Sequence, residues 1–249
     1  MEKHYRIQPD SIGQSLLREK EYGKALEYFK TSGNRELYSE AFAGIRNRTV
    51  RGWFVPVMLG GAAVISLLIV CLRWIGRQNR KPRAEWAHPF PHRVSYAFYV
   101  LLHPFKGFYG LKYEGCGSCG AAALLYGFAF LSELLRSTLS AFAFNAGGAQ
   151  VEIAGVFFRT AGAALLFVLS NWCLTTLMGG EGTLGDIFIN TGYALLPLAM
   201  LNIVSIPLTY MLTLQEGIYI TMLLSAAAAW TLSLIFIGIL VAHQYSLFK

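Results

Sequence analysis

The stretch Ile218–Ala242, IYITMLLSAAAAWTLSLIFIGILVA, carries no charged side chain and is predominantly apolar around its whole circumference if it is helical. A helix rises 1.5 Å per residue, so about 20 apolar residues are enough to cross a bilayer. A helix of a soluble protein would instead keep a polar face toward water. The stretch therefore predicts a membrane-spanning helix.

Other segments of the chain have the same length and apolar character. They are Gly52–Ile75, Gly120–Phe144, Val156–Met178 and Ile187–Leu214. The composition agrees, because 55% of the residues are hydrophobic and only 14% are charged. The sequence thus predicts an all-α, polytopic helical membrane protein with five spanning helices and an additional interfacial amphipathic segment.

The pattern divides the chain into a soluble helical segment (1–51), a first span (52–75), a basic cytoplasmic and interfacial segment (76–118) and a four-span bundle (119–249). The first residues, MEKHYRIQPDSIGQ, contain no apolar core and do not form a signal peptide. The sequence leaves open whether residue 1 is a natural start or a truncation.

The soluble segment shows two helical patterns on either side of Gly33-Asn34. Apolar side chains recur at helical spacing in two sets: Tyr22, Ala25, Leu26 and Phe29, then Leu37, Tyr38, Ala41 and Phe42. Two such helices resemble the second half of a tetratricopeptide unit, although a simple juxtamembrane helix pair fits equally well. A single unit cannot bury its own apolar face. We therefore expect the segment to pack on a partner or to end a longer repeat region.

Residues 93–114, RVSYAFYVLLHPFKGFYGLKYE, are aromatic, basic and too short in their apolar part to span. His103-Pro104 should interrupt any helix here. Because Tyr rings and Lys stems suit the headgroup level, we expect this segment to lie in the interface plane. A cytoplasmic loop with incidental aromatic residues is the alternative.

Loop charges set the expected orientation. Residues 73–118 carry eight Lys and Arg side chains, whereas the loop Asn145–Glu152 carries none. The positive-inside rule then places the C-terminus in the cytoplasm and residues 1–51 outside. The positive charges of Arg46, Arg48 and Arg51 argue against the outside placement of residues 1–51. The formal net charge of +7 favours contact with anionic lipid headgroups and not with nucleic acid.

Short motifs follow one another in a recognisable order through the second half of the chain. HPFKGFYGLKYE begins at His103, Gly117-Ser118 precedes the second span, GGEGT begins at Gly179, and TGYALLP ends at Pro197. Over roughly residues 90–245 this order resembles the Yip (Ypt/Rab-interacting protein) domain family, especially its bacterial members. The residues that carry the resemblance are His103, Pro104, Phe105, Gly107, Lys112, Tyr113, Gly117, Ser118, Gly179, Gly180, Gly182, Thr183, Gly192, Tyr193 and Pro197.

The resemblance implies a compact helical bundle with cytoplasmic basic and interfacial segments. In eukaryotes the family is associated with Rab-type GTPases and with membrane shaping or trafficking. The tetratricopeptide-like segment resembles a bacterial arrangement, in which Rab partners do not exist, so a Rab-type GTPase is expected only if the chain is eukaryotic. The expected location is a bacterial plasma membrane, and the expected partners are the lipid bilayer and either another membrane protein or a second copy.

Cys116-Gly-Ser-Cys119 departs from the family pattern and has the spacing of a redox pair or half a zinc site. Zinc would need two more ligands, for which His88, His92 and His103 lie upstream. The pattern is not a recognised zinc spacing, and a reducing cytoplasm would keep the thiols free. We therefore expect no metal and no cofactor, with Cys116 and Cys119 as minor metal candidates.

Gly180-Glu-Gly182-Thr-Leu-Gly185 satisfies the letters of the dinucleotide fingerprint G-x-G-x-x-G. That fingerprint requires a preceding strand, and here a membrane helix precedes it. A tight turn explains the glycines better, with Thr183 capping the helix that carries Asp186.

Glu133 and Arg136 lie three residues apart on one face of the second predicted span and form a possible intramembrane polar pair. Charges at membrane depth are costly and normally pair inside the protein, although Arg136 could also snorkel toward the surface. A polar track for a solute is the alternative, with Arg159, Asn171, Asn190 and Asn202 as its further lining.

Pro197 and Pro207 should kink or interrupt the fourth predicted span. Some transporters build binding sites at such breaks, usually as matched pairs in two repeated halves, and no second half with matching breaks occurs here.

The sequence contains no H-E-x-x-H, no G-x-S-x-G and no set of catalytic residues within the spans. We expect a non-catalytic membrane protein that acts as an assembly or accessory module for other membrane proteins. The alternative is a small-solute permease, or a subunit of one, that uses Glu133 and Arg136.

Overall fold

The computed structural model describes residues 9–47, 66, 70, 89–145, 151–177 and 182–243. Every regular element in those residues is a helix. The predicted all-α class is confirmed.

The N-terminal part contains three helices: α1 (Pro9–Arg18), α2 (Tyr22–Ser32) and α3 (35–47). The two helices expected from the apolar spacing are α2 and α3. They are separated by Gly33, whose φ of 76° requires a left-handed backbone that glycine adopts without strain. Ala25, Phe29 and Ala41 form a small buried core.

The next two helices are α4 (Phe90–Leu102) and α5 (Pro104–Tyr113), which meet at His103 as the sequence predicts. Tyr96, Val100 and Phe108 are buried in the main core of the bundle. The segment therefore packs on the bundle through its buried side chains, and its expected position in the interface plane stays a prediction. Its aromatic residues are divided between the core and the surface because each short helix buries one face.

Four helical segments are long and apolar enough to cross a membrane. They are α6 (Cys119–Leu139), α7 (Ile153–Leu177), the pair α8 (Leu184–Ala194) and α9 (Leu196–Met211), and α10 (Gly217–His243), which a short 3-10 turn, Leu214–Glu216, precedes. Helix α7 contains one π-helical turn, Phe158–Gly162. The count of five spans is therefore not exact. The fifth predicted span, Gly52–Ile75, lies outside the described residues apart from helical positions at 66 and 70.

The third of these segments is interrupted between α8 and α9 at Leu195, and Pro197 occupies the first turn of α9. Proline is tolerated in a first turn because its missing N–H would have no intrahelical partner there. The predicted interruption at Pro197 is confirmed, whereas α9 continues through Pro207 to Met211.

The α8–α9 pair is the most buried of the four segments, and α7 is the least buried. Helices α4, α5, α6 and α10 all contact the α8–α9 pair. This arrangement makes α8 and α9 the centre of the bundle and leaves most of α7 on its surface.

Candidate functional site

Two of the motif glycines lie where neighbouring helices pack closely. At Gly107, where α5 crosses α4, an added Cβ would lie 2.7 Å from the Cα of Val100. At Gly192, where α8 faces α6, an added Cβ would lie 3.0 Å from the Cβ of Ala122. Such distances fall below ordinary van der Waals contact, so these positions require glycine for packing.

The His103-Pro104 junction turns the chain from α4 into α5. Pro104 begins α5, and the His103 imidazole stacks on the Tyr99 ring with 4.8 Å between centroids. Phe105 and Tyr113 are exposed, and Tyr113 lies 4.6 Å from the ring of Tyr109. The exposed rings, and not the whole segment, are suited to the membrane interface.

The two cysteines of the CGSC stretch lie in different environments. Cys116 is buried, and burial raises the pKa of its thiol. The negative charge of the nearby Glu114 carboxylate raises this pKa further. Tyr96 is hydrogen-bonded to this thiol, and burial also raises the pKa of Tyr96. Cys119 is exposed at the start of α6. A buried thiol of raised pKa is a poor nucleophile and a poor metal ligand.

Within the described ranges, no three His, Cys, Asp or Glu side chains lie close enough to hold a metal ion together. His92 and His103 are instead engaged with neighbouring aromatic rings, those of Tyr96 and Tyr99. The structure gives no support to a metal role for Cys116 and Cys119.

Three further motif residues connect neighbouring elements: Gly117 brings the loop after α5 close to α8, Ser118 caps α6, and Tyr193 joins α8 to α4. A Cβ at Gly117 would lie 2.9 Å from Leu111 and 3.0 Å from Ile189. The Ser118 hydroxyl accepts a hydrogen bond from the first turn of α6, at 3.2 Å from the amide nitrogen of Ala121. The buried Tyr193 hydroxyl donates to the carbonyl of Arg93 at 2.6 Å. Motif stretches that are distant in sequence therefore meet at one end of the bundle.

The GGEGT motif lies at the same end. Gly179 and Gly180 fall outside the described residues. Thr183 caps α8 as predicted: its hydroxyl accepts from the Asp186 amide at 3.1 Å, and the Asp186 carboxylate accepts from the Thr183 amide at 3.0 Å. The Gly182 amide donates to Nδ1 of His243 at 3.2 Å, and Lys112 Nζ donates to the carbonyl of Ala242. We call this the motif end.

Glu133 and Arg136 form the expected ion pair on α6, with Nε to Oε2 at 3.0 Å and a second contact at 2.5 Å. Asn202 of α9 donates to the Glu133 carboxylate at 3.1 Å and lies 3.5 Å from the Ser132 hydroxyl. The contacts of Asn202 with Ser132 and Glu133 hold α6 against α9. Ser132 and Asn202 are almost fully buried. We call this group the polar network.

The other residues proposed for a solute track lie elsewhere. Arg159 is exposed and donates to the Gly155 carbonyl of its own helix. Asn190 donates to the Gly238 carbonyl of α10 at 3.0 Å, and Asn171 contacts His243. Of these four residues, only Asn202 has a described contact with the Glu133 and Arg136 pair, through the Glu133 carboxylate.

The N-terminal helices sit on the loops at the opposite end of the bundle. The ring of Tyr38 lies 5.0 Å from that of Phe142, and the Ser39 hydroxyl accepts from the Leu214 amide at 2.7 Å. Arg46 forms a bidentate ion pair with Glu216. A cavity of about 700 Å³ lies between α3 and residues 213–216. The segment therefore packs on the chain's own membrane domain.

Sequence reasoning missed three of these contacts: Tyr96 with Cys116, Gly182 with His243, and Arg46 with Glu216. Each joins residues on different helices, so helical spacing carries no information about it. The one available signal was a lone histidine closing a long apolar segment, at His243. An ionisable side chain at the end of a span commonly has a partner inside the protein.

Together, the four apolar helices, the buried central pair and the polar contacts inside the bundle define a polytopic, helical, integral membrane protein. The model of the Yip1 domain family matches residues 80–249, which is more than half of the chain, and the chain belongs to this family. The match begins before residue 90, so the basic stretch around Arg83 is included. No match was found among curated proteins or among solved structures.

Proposed function

We propose that this protein is a non-catalytic assembly module for other membrane proteins. The observation that carries the proposal is the seating of three folded N-terminal helices on one end of a membrane bundle. Helix α3 makes the contacts through Tyr38, Ser39 and Arg46. Helices α1 and α2 pack on each other and keep charged side chains exposed: Arg18, Glu19, Lys20, Glu21, Lys24, Glu27 and Lys30.

A folded unit held in a defined position on a membrane domain can present a binding surface at low entropic cost. The surface is already ordered before a partner arrives, so less conformational freedom is lost on binding. The mixed charges of α1 and α2 would favour a partner with a complementary charge pattern and would disfavour nonspecific apolar association.

The non-catalytic part of the proposal is supported by how the motif side chains are used. Gly107, Gly117 and Gly192 allow close packing, Ser118 and Thr183 cap helices, and Tyr193 bonds a backbone carbonyl. These are structural tasks. A catalytic site would need a nucleophile, acid or base directed at a substrate.

The permease alternative receives less support. It draws on Glu133 and Arg136, but these charges neutralise each other and are joined only by Asn202 among the other candidate lining residues. A conducting path needs polar groups that can exchange a bound solute along the membrane depth.

The test is quantitative co-purification from native membranes in mild detergent, with a C-terminal tag. The full chain should retain a membrane partner near stoichiometric amounts, and a variant that lacks residues 1–51 should lose it. Arg159→Gln is a suitable control, because it removes one exposed charge on α7 and leaves the N-terminal helices unchanged. Unchanged recovery of the partner with the deleted variant, or a full chain that purifies alone, would contradict the proposal.

A further inference from the structure

His243 is the last described residue of α10 and is only 3% exposed. Its Nδ1 accepts a hydrogen bond from the Gly182 amide at 3.2 Å, and its Nε2 lies 3.4 Å from Oδ1 of Asn171. One imidazole therefore connects α10, the loop before α8, and α7.

The glycine at 182 is required by this contact. An added Cβ would lie 2.6 Å from Cε1 and 2.8 Å from Nδ1 of the His243 ring. Any side chain there would push the imidazole away, so Gly182 has a specific structural role that the G-x-G-x-x-G pattern did not reveal.

The hydrogen bonds also determine the protonation state that the site accepts. Since the Gly182 amide is a donor, Nδ1 must carry a lone pair, and the proton of the neutral ring then lies on Nε2. That proton can be donated to the Asn171 carbonyl oxygen. The neutral Nε2–H tautomer satisfies both partners at once.

We propose that His243 is a pH-sensitive latch between the C-terminal end of α10 and Gly182, the residue before the Thr183 cap of α8. When Nδ1 is protonated, two N–H donors face each other and the hydrogen bond to Gly182 is lost. Gly182 and the Thr183 cap of α8 are then released from α10.

Charged groups on the surrounding helices act in both directions. Lys112 on α5 donates to the adjacent Ala242 carbonyl and opposes a second positive charge at His243. Asp186 on α8 and the carbonyl end of α10 favour that charge. Asn171 of α7 is neutral. Burial of the ring disfavours its charged form most, and Lys112 adds to this effect, so the site favours the neutral imidazole with a lone pair on Nδ1.

The test is hydrogen exchange at the peptide containing Gly182, on the full chain in lipid nanodiscs at about pH 4 and about pH 8, because a buried imidazole is protonated only well below the usual range of histidine. After correction for the intrinsic pH dependence of exchange, the protection factor of the wild-type peptide should fall about tenfold at the lower pH. A fall of this size is expected when one buried hydrogen bond is lost. The peptide containing Asn202 is the internal reference and should not change.

Two variants separate the latch from a general effect of acid. His243→Gln can accept from Gly182 through Oε1 and donate to Asn171 through Nε2 but cannot be protonated, so its protection should be the same at both pH values. His243→Arg stays charged and has no acceptor, so the Gly182 amide should be unprotected at both pH values. Equal loss in the wild type and in His243→Gln would overturn the proposal, as would constant protection in the wild type.

Discussion

Both ends of the bundle contain hydrogen bonds, but close glycine packing is prominent at the motif end and ion pairs are prominent at the opposite end. At the motif end, Gly107 and Gly192 let backbones approach until no volume is left for a methyl group. At the opposite end, the contacts are polar: Glu133 with Arg136 and Asn202, and Arg46 with Glu216. A substitution that adds atoms to a glycine contact forces the two helices apart. A substitution at an ion pair can instead remove one charge or both and so weaken the contact in steps.

This difference follows from the solvent that surrounds each contact. Inside a bilayer, apolar side chains gain little by leaving lipid, so close van der Waals packing between small residues must hold the helices together. A partly exposed ion pair such as Arg46 with Glu216 is instead screened by water. The glycine contacts should therefore be sensitive to size, and the ion pairs should be sensitive to charge balance.

The largest effect is expected at Gly107. The Gly107→Ala variant places a methyl group 2.7 Å from the backbone of Val100, so α4 and α5 must separate. We expect a loss of about 1–3 kcal/mol in the free energy of unfolding, as is usual for overpacking. A thermal unfolding series in detergent measures this change.

The matched control is Gly127→Ala in α6, where nothing lies within 4 Å of the added Cβ. Alanine favours a helix over glycine, so this variant should be neutral or slightly stabilised. If both variants lose the same stability, close packing at Gly107 is not what holds α5 in place.

A smaller effect is expected at the polar network. Either Glu133→Gln or Arg136→Gln leaves one charge without its partner. Each variant should lower the free energy of unfolding by about 1–2 kcal/mol. This loss is smaller than is usual for buried ion pairs because Arg136 is partly exposed. The double variant should cost less than the sum of the single variants, by about 1 kcal/mol of coupling.

Arg159→Gln is the control for the cycle. Arg159 is exposed and bonds only the carbonyl of its own helix in the contacts that the structure describes, so the change in stability should stay within about 0.5 kcal/mol. Strict additivity of Glu133→Gln and Arg136→Gln would show that the two charges do not interact in the bilayer.

The sequence predicts the helices of this fold well because its apolar runs and prolines act locally. Ile218–Ala242 lies within α10, Pro197 lies at the interruption before α9, and Thr183 caps α8. The Glu133 and Arg136 pair also follows from spacing on one helix. Each of these features depends on residues that are close together in the chain.

The features that the sequence does not reveal depend on contacts between distant residues. The aromatic residues at 93–114 suggest an interface, and helical spacing does not show that other helices bury Tyr96 and Phe108. The glycines at 180, 182 and 185 suggest a tight turn, and the sequence does not show that Gly182 lies against His243. Helical periodicity shows which face of a helix is apolar, but it does not show which other helix packs against that face.

The smallest effect is expected where the N-terminal helices meet the membrane domain, at Arg46 and Glu216. The two side chains are 23% and 33% exposed, so their ion pair is partly screened and should contribute about 0.5–1 kcal/mol. Arg46→Gln should leave the unfolding midpoint of the bundle unchanged and increase hydrogen exchange in α3. Lys24→Gln removes a much more exposed pair with Glu21 and should change neither quantity. An unfolding midpoint that falls with Arg46→Gln would contradict this prediction and would mean that the N-terminal helices stabilise the bundle itself.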